Sequence, residues 1–298
     1  MKTKTFRKIL IAILAMSLLV LALLVPGFAK TDAEVELDAA KAEVAACEQK
    51  LADAKAAYET AQSQNNQGTY GFFQWAGATN AIQTLDNAKY RNLIAYGTAG
   101  DATSLDNLET ALQLIDKVNE YRAGEGLDQL VVTDTMMAMA EADADAYYNL
   151  NTTPKQFTIG GHKIAENLGT FASVDKAAES WFSERKLAEQ HPEYMDYNSP
   201  NWYQVGHWFN MSHKTYTVTG AAVNTRLGNK FCQVYYSNAN NEQTYTTTQY
   251  RERIRTYRVS ADAAKKAMDE AQAALSAAQV RQATAQRIVD AERQKAAQ

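Results

Sequence analysis

Two stretches without a single Pro or Gly, residues 31–67 and everything after Gly228, most constrain what this chain can fold into. In the first, Leu37, Ala40, Val44, Cys47, Leu51, Ala54, Tyr58 and Ala61 recur at alternating spacings of three and four. In the second, Tyr250, Ile254, Tyr257, Ala261, Ala264, Met268, Ala271, Leu275, Ala278, Gln282, Ala285 and Val289 do the same. A seam of this period predicts long coiled-coil helices over 30–64 and 246–298. Both seams mix Ala with larger residues, which lets helix axes approach closely. Pairing of the two within one chain would be antiparallel, and pairing with a second chain satisfies the same pattern. A helix of about 34 residues reaches roughly 50 Å, so the expected picture is a stalk carrying a globular part.

The 298-residue chain is 46% hydrophobic, but Ala in the tails supplies much of that fraction, which speaks for long helices rather than a larger core. Residues 1–29 read as a secretory signal or, if uncleaved, an N-terminal anchor. Lys2, Lys4, Arg7 and Lys8 precede an apolar run from Ile9 to Val25, and Gly27-Phe28-Ala29 offers small residues for cleavage. Such a leader implies a secreted, extracellular or cell-surface protein, with the membrane involved only through it. Removing those four cations leaves 26 basic residues against 34 acidic, a net charge of −8. An acidic body without a basic stripe excludes nucleic acid as the expected partner and any electrostatic grip on anionic lipid. Cys47 and Cys232 are the only cysteines, so there is no disulfide framework. Both read as small buried apolar residues, and a bridge between them would require a stalk residue to reach a strand.

Residues 65–103 form a neck: a polar break at Asn65–Gly68, an aromatic cluster of Tyr70, Phe72, Phe73 and Trp75, then a predicted helix over 78–94 carrying Ile82, Leu85, Tyr90 and Leu93. The globular part spans 104–240. Ser104, Thr133 or Asp134, and Ser173 are candidate N-caps of three helices, with Met136, Met137 and Met139 as core. The β-rich runs Tyr216–Val223 and Phe231–Tyr236 predict a closing hairpin. Helices first and strands last make the class α+β.

There are four histidines, His162, His191, His207 and His213. His162 and Glu166 are four apart and would share a face if that turn were helical. Glu184 follows Trp181 by three, and His207 sits between Gly206 and Trp208. Two imidazoles and two carboxylates converging in a cleft would suit a divalent metal such as zinc, or acid–base chemistry with a Glu as base. There is no His-Glu-x-x-His helix, no Gly-x-Ser-x-Gly elbow and no phosphate loop. Cys232, inside a β run, reads as a buried inert thiol.

Taken together, these segments resemble the CAP superfamily (cysteine-rich secretory proteins, antigen 5 and pathogenesis-related 1 proteins, or SCP-like extracellular domains) in a bacterial-type secreted form. The resemblance rests on Val118-Asn-Glu-Tyr-Arg122, on His162 with Glu166-Asn167-Leu168, on Trp181-Phe-Ser-Glu184, on Gly206-His207-Trp208-Phe209-Asn210 and on the two closing runs. It covers under half the chain and leaves the terminal helices outside. It implies a three-layer α-β-α sandwich with a cleft tetrad of His162, Glu166, Glu184 and His207. In such a tetrad His162 and His207 would hold a divalent metal, often zinc. Ala165 stands where the family usually has Gly, His162 and Glu166 are closer than in many members, and the family's disulfides are largely absent.

Three functions follow from these expectations, because this fold carries different activities in different members. The first is an extracellular module whose cleft takes a small ligand or peptide. The second is a structural or adhesive protein whose coiled coils carry the function, by self-association or with another chain. The third is a metal-dependent hydrolase, peptidase-like, with zinc on His162 and His207 and with Glu166 or Glu184 as the catalytic base. Enzyme status stays open, with the balance toward a binding role.

Overall fold

The computed structural model describes residues 30–153, 157–159 and 161–298, so the leader expected at 1–29 lies outside the described residues. These divide into two compact units, Ala46–Leu275 and a second comprising the chain up to Ala45 together with Ser276–Gln298. Two long helices, α1 (Asp32–Asn66) and α9 (Thr247–Ala296), contribute to both. None of the described helices is long and apolar enough to cross a membrane.

In the smaller unit, Leu37 and Ala40 of α1 bury against Ala285 and Val289 of α9. Glu34 pairs with Arg293 at 2.9 Å, and Glu43 pairs with Arg281. Low numbers therefore meet high ones, and the two segments run antiparallel. The small residues of the seam are what allow this close approach. The exposed ion pairs set register more than they stabilise, because solvent screens them.

In the larger unit, α2 (Thr69–Ala76) and α3 (Thr79–Leu85) precede α4 (Leu105–Gly124). The helix expected over 78–94 stops at Leu85. The Asn87 carboxamide oxygen accepts from the Lys89 N–H at 3.0 Å, and Tyr90 N–H donates to the Asn87 carbonyl. This Asx turn competes with helix continuation, and it turns Tyr90 and Ile94 into the core. Further along come β1 (Val131–Val132), α5 (Asp134–Leu150), a ribbon of β2 (Thr158–Ile159) and β3 (His162–Lys163), and β4 (Ala165–Thr170). The remainder is α6 (Val174–Ser183), α7 (Arg185–Gln190), α8 (Gly206–Ser212), β5 (Val218–Asn224) and β6 (Lys230–Tyr236). Ser104, Thr133 and Ser173 each accept a first-turn N–H, so α4, α5 and α6 start where their caps predict.

The sheet order is β1-β5-β6-β4, with β1 parallel to β5 and the rest antiparallel. The expected hairpin is β5–β6, with Gly220 opposite Val234 and Ala222 opposite Cys232. Helix α5 covers one face, while α4, α6 and α8 cover the other. This is the α-β-α layering of an α+β domain. The start of α9 is not outside this core: Tyr250, Ile254 and Tyr257 are buried in it, with the two tyrosine rings against Phe72. Arg253 clamps Asp134 through two bonds of 2.8 and 2.9 Å, a fork that Lys could not reproduce.

Candidate functional site

A strand shows alternate side chains to opposite faces, and this decides where the motif residues go. In β4, Glu166 lies opposite Val234, Asn167 opposite Gln233 and Leu168 opposite Cys232. Asn167 therefore faces the α6–α8 layer. Its carboxamide donates to the His207 carbonyl at 3.0 Å and to the Tyr235 hydroxyl at 3.2 Å, and it accepts from Asn210 at 2.9 Å. These bonds moor α8 to the sheet. Glu166, one residue earlier, faces α5 on the other side. The segment with His162 and Glu166 is thus not helical. The two residues sit in different strands, and His162 is exposed on the β2–β3 ribbon opposite Ile159.

Glu184 and His207 do come together. Glu184 follows the last residue of α6 and reaches the first turn of α8. One of its carboxylate oxygens accepts the backbone N–H of His207 at 2.9 Å and of Trp208 at 3.1 Å. The other lies 2.6 Å from His207 Nδ1. The carboxylate thus satisfies orphan donors of a helix start and fixes a tautomer with the proton on Nδ1. Nε2 is the ring nitrogen without a hydrogen-bond partner among the described residues, on a side chain 34% exposed. The buried Trp181 ring stacks on the imidazole, with centroids 6.0 Å apart. An imidazole held in this way can accept a ligand's proton or hydrogen bond, or donate to a metal.

Glu166 instead meets Asp143 of α5 and Cys232 of β6. One ligand atom from each lies within 4.8 Å of the others, and among the described residues this is the only such group of three or more His, Cys, Asp or Glu. The four motif residues therefore do not form one ligand set. Burial, and then the neighbouring Glu166 charge, pushes the Asp143 carboxyl well up. Burial also raises Glu166, and it raises the Cys232 thiol with Glu166 and Asp143 adding to the effect. The cluster is close enough to share protons or to accept one cation, and Cys232 within it is an unreactive thiol. Cys47 and Cys232 are both free and buried.

Asp143 is the residue that reading the sequence missed, because an acid in a helical pattern reads as solvated. A signal was there. Glu141 and Asp145 are four apart and share a face, while Asp143 projects from the opposite side of the helix. Apolar residues fill the rest of Met136–Ala146, so no orientation keeps all three acids in water. All three are buried, and burial raises all three carboxyls.

This predicts the direction of stability with pH. A carboxyl raised in the folded state contributes stability that is fully present below the ordinary carboxylate range. The contribution is lost as pH rises through the raised value, because the unfolded chain releases its proton first, with a slope of up to about 1.4 kcal/mol per pH unit per proton. In metal-free protein held in a chelator, Asp143→Asn is expected to melt above the parent at pH 8, with the difference closing toward pH 4. Parallel melting curves across that range would contradict the protonated cluster.

The other histidines lie elsewhere. His191 bonds Glu193 and stacks on Tyr194 at the surface. His213 stacks on Tyr216, and burial together with the Arg122 charge lowers its pKa. A cleft of about 450 Å³ is lined by Trp208 and Phe209, which follow His207 in α8, together with Met195 and His213.

Residues 115–250 match the family model described as CAP: Cysteine-rich secretory protein family. No curated protein matches the chain.

Proposed function

With residues 115–250 a CAP-family domain, we propose that the protein is an extracellular-type binding module whose small-molecule or peptide ligand meets His207. The observation that carries the reading is the Glu184–His207 pair. A carboxylate bonded to the ring and to two backbone N–H groups holds one imidazole in one orientation with its outer nitrogen open. Secretion in this proposal rests on the leader at 1–29. Presentation of the domain by the terminal helices rests on the antiparallel packing of Leu37 and Ala40 with Ala285 and Val289.

A binding role is favoured over a metal-dependent hydrolase by the donor set. One oriented imidazole supplies one metal ligand. His162 sits on a separate ribbon, and Glu166 faces the other side of the sheet. Among the described residues no Ser, Thr or Cys side chain hydrogen-bonds the His207 ring. Among the described residues neither His162 nor His207 belongs to a group of three or more potential metal ligands, which supports the binding reading over the hydrolytic one.

Zinc serves as a probe of the open nitrogen. Titrating zinc chloride into residues 30–298, with imidazole NMR as the readout, is expected to perturb His207 at Nε2. His207→Ala should abolish the response, Glu184→Gln should weaken it about tenfold through the lost orienting carboxylate, and His162→Ala should leave it unchanged. If His162→Ala abolished it as fully as His207→Ala, the two-histidine centre and the hydrolase reading would take over. No perturbation of His207 at all would remove this ring as the contact point.

A further inference from the structure

A second site lies away from the His207 pair, partly in the neck that the family match leaves out. A cleft of about 480 Å³ opens between α3 with its following turn, the start of α5, β2 with the preceding Phe157, and the turn after β6. That volume is within the range of small-ligand sites, roughly 300–1,000 Å³.

Its lining carries one acid and one cation, Glu242 and Lys89. The acid is already committed. The Glu242 carboxylate accepts from the Asn80 carboxamide at 3.0 Å, from the Thr135 N–H at 3.3 Å and from the Thr135 hydroxyl. It ties the 238–242 turn to α3 and α5 and so holds the cleft's walls together. A cationic ligand would find no free carboxylate, and an anionic one would find a single lysine.

What remains directed at a ligand is amide and apolar. Gln83 and Asn240 line the cleft, and neither side chain hydrogen-bonds another described residue. Asn240 and Asn241 both adopt left-handed backbone, with φ of 48° and 65°. Two successive non-glycine residues in that region are uncommon and costly, and they persist where surrounding structure enforces them. Here the Glu242 anchor supplies the enforcement, and the result is a carboxamide presented at the cleft edge. Met136, Met139 and Ile159 provide the apolar wall. A carboxamide donates and accepts at once, as a sugar hydroxyl does, and an apolar wall suits a sugar's C–H face.

We propose that this cleft binds a neutral oligosaccharide. The test is binding of the full chain to immobilised neutral oligosaccharides, with sialylated and sulfated glycans and unmodified peptides as the other arms. Retention on neutral glycans is expected. A Gln83→Ala, Asn240→Gly double variant, in which glycine tolerates the left-handed backbone of residue 240, should lose about tenfold or more in affinity through the two lost side-chain hydrogen bonds while staying folded. No retention on any neutral glycan, preference for the acidic glycans or peptides, or full binding by the folded double variant would each overturn the proposal.

Discussion

Replacing Arg122 by methionine is expected to cost about 4 kcal/mol of folding stability, a large share of the roughly 5–15 kcal/mol that holds a native domain together. Arg122 is 1% exposed, and among the described residues no carboxylate hydrogen-bonds it, the Asp128 charge acting on it only at a distance. Its Nε donates to the Asp128 carbonyl at 2.9 Å. Nη1 donates to Met211 and His213 at 2.7 and 3.3 Å, and Nη2 to Tyr216 at 3.1 Å. One planar fork thus satisfies four carbonyls from two segments and ties α4 to the connection between α8 and β5. Burial lowers its pKa, but the ion is retained because the carbonyl dipoles replace water. Methionine keeps the apolar stem and strips every donor, leaving acceptors that cost about 1–3 kcal/mol each when buried without partners, less what relaxation recovers. Lysine should restore under half of the loss, because an ammonium cannot span the same geometry. Urea denaturation measures both variants. A loss below about 1 kcal/mol for the methionine variant would show that water takes over the guanidinium's role. Met211 belongs to the helix that carries His207, and His213 and Tyr216 follow it, so the same variant should broaden the His207 imidazole resonance.

The second large effect is expected from a single methyl group. Gly220 sits in β5 against the start of α5. A Cβ built there would lie 2.0 Å from the Met136 carbonyl oxygen, 2.1 Å from its carbon and 2.4 Å from the Met137 nitrogen. All three atoms are backbone, so no rotamer change relieves the overlap, and helix and strand must separate. Gly220→Ala is expected to destabilise by about 3 kcal/mol or more, at or above the upper end for overpacked cores. Gly124 is the control: it ends α4 with nothing within 4 Å of an added Cβ. Gly124→Ala should therefore be neutral or stabilising by a few tenths of a kcal/mol. Thermal melts of the two variants side by side separate close packing from loss of glycine as such. Similar melting temperatures for both would refute the close helix–strand approach.

The clash also explains the small residues of β5, Gly220-Ala221-Ala222, as an allowance for helices lying directly on the sheet. Two of the three buried acids of α5 have an explanation of the same kind. Asp145 accepts from the Ala102 N–H at 3.1 Å and from Asn224 at 2.6 Å, and Glu141 accepts from the Thr69 hydroxyl at 2.8 Å. Asp143 faces Glu166 and Cys232, and the Tyr90 hydroxyl offsets the effect of burial on it only in part, which is why its titration should be visible in stability.

By itself the sequence determined what short-range chemistry controls. Ser104, Thr133 and Ser173 start their helices because the cap and the N–H it accepts are three residues apart. The β5–β6 hairpin follows from two β-rich runs around a short polar turn, and the long terminal helices follow from period and the absence of Pro and Gly. Tertiary structure alone decided the rest. The 78–94 segment ends its helix at Leu85, where the Asn87 turn wins and Tyr90 finds a core to enter. Tyr250, Ile254 and Tyr257 read as the opening of a stalk seam and instead complete the domain, because a seam pattern specifies an apolar face and not its occupant. The motif residues divide for a related reason. Glu184 and His207 sit at the adjoining ends of two packed helices, and they meet. Glu166 lies in a strand, where a shift of one residue reverses the face, and pairing with β6 turned it toward Asp143 and away from His207.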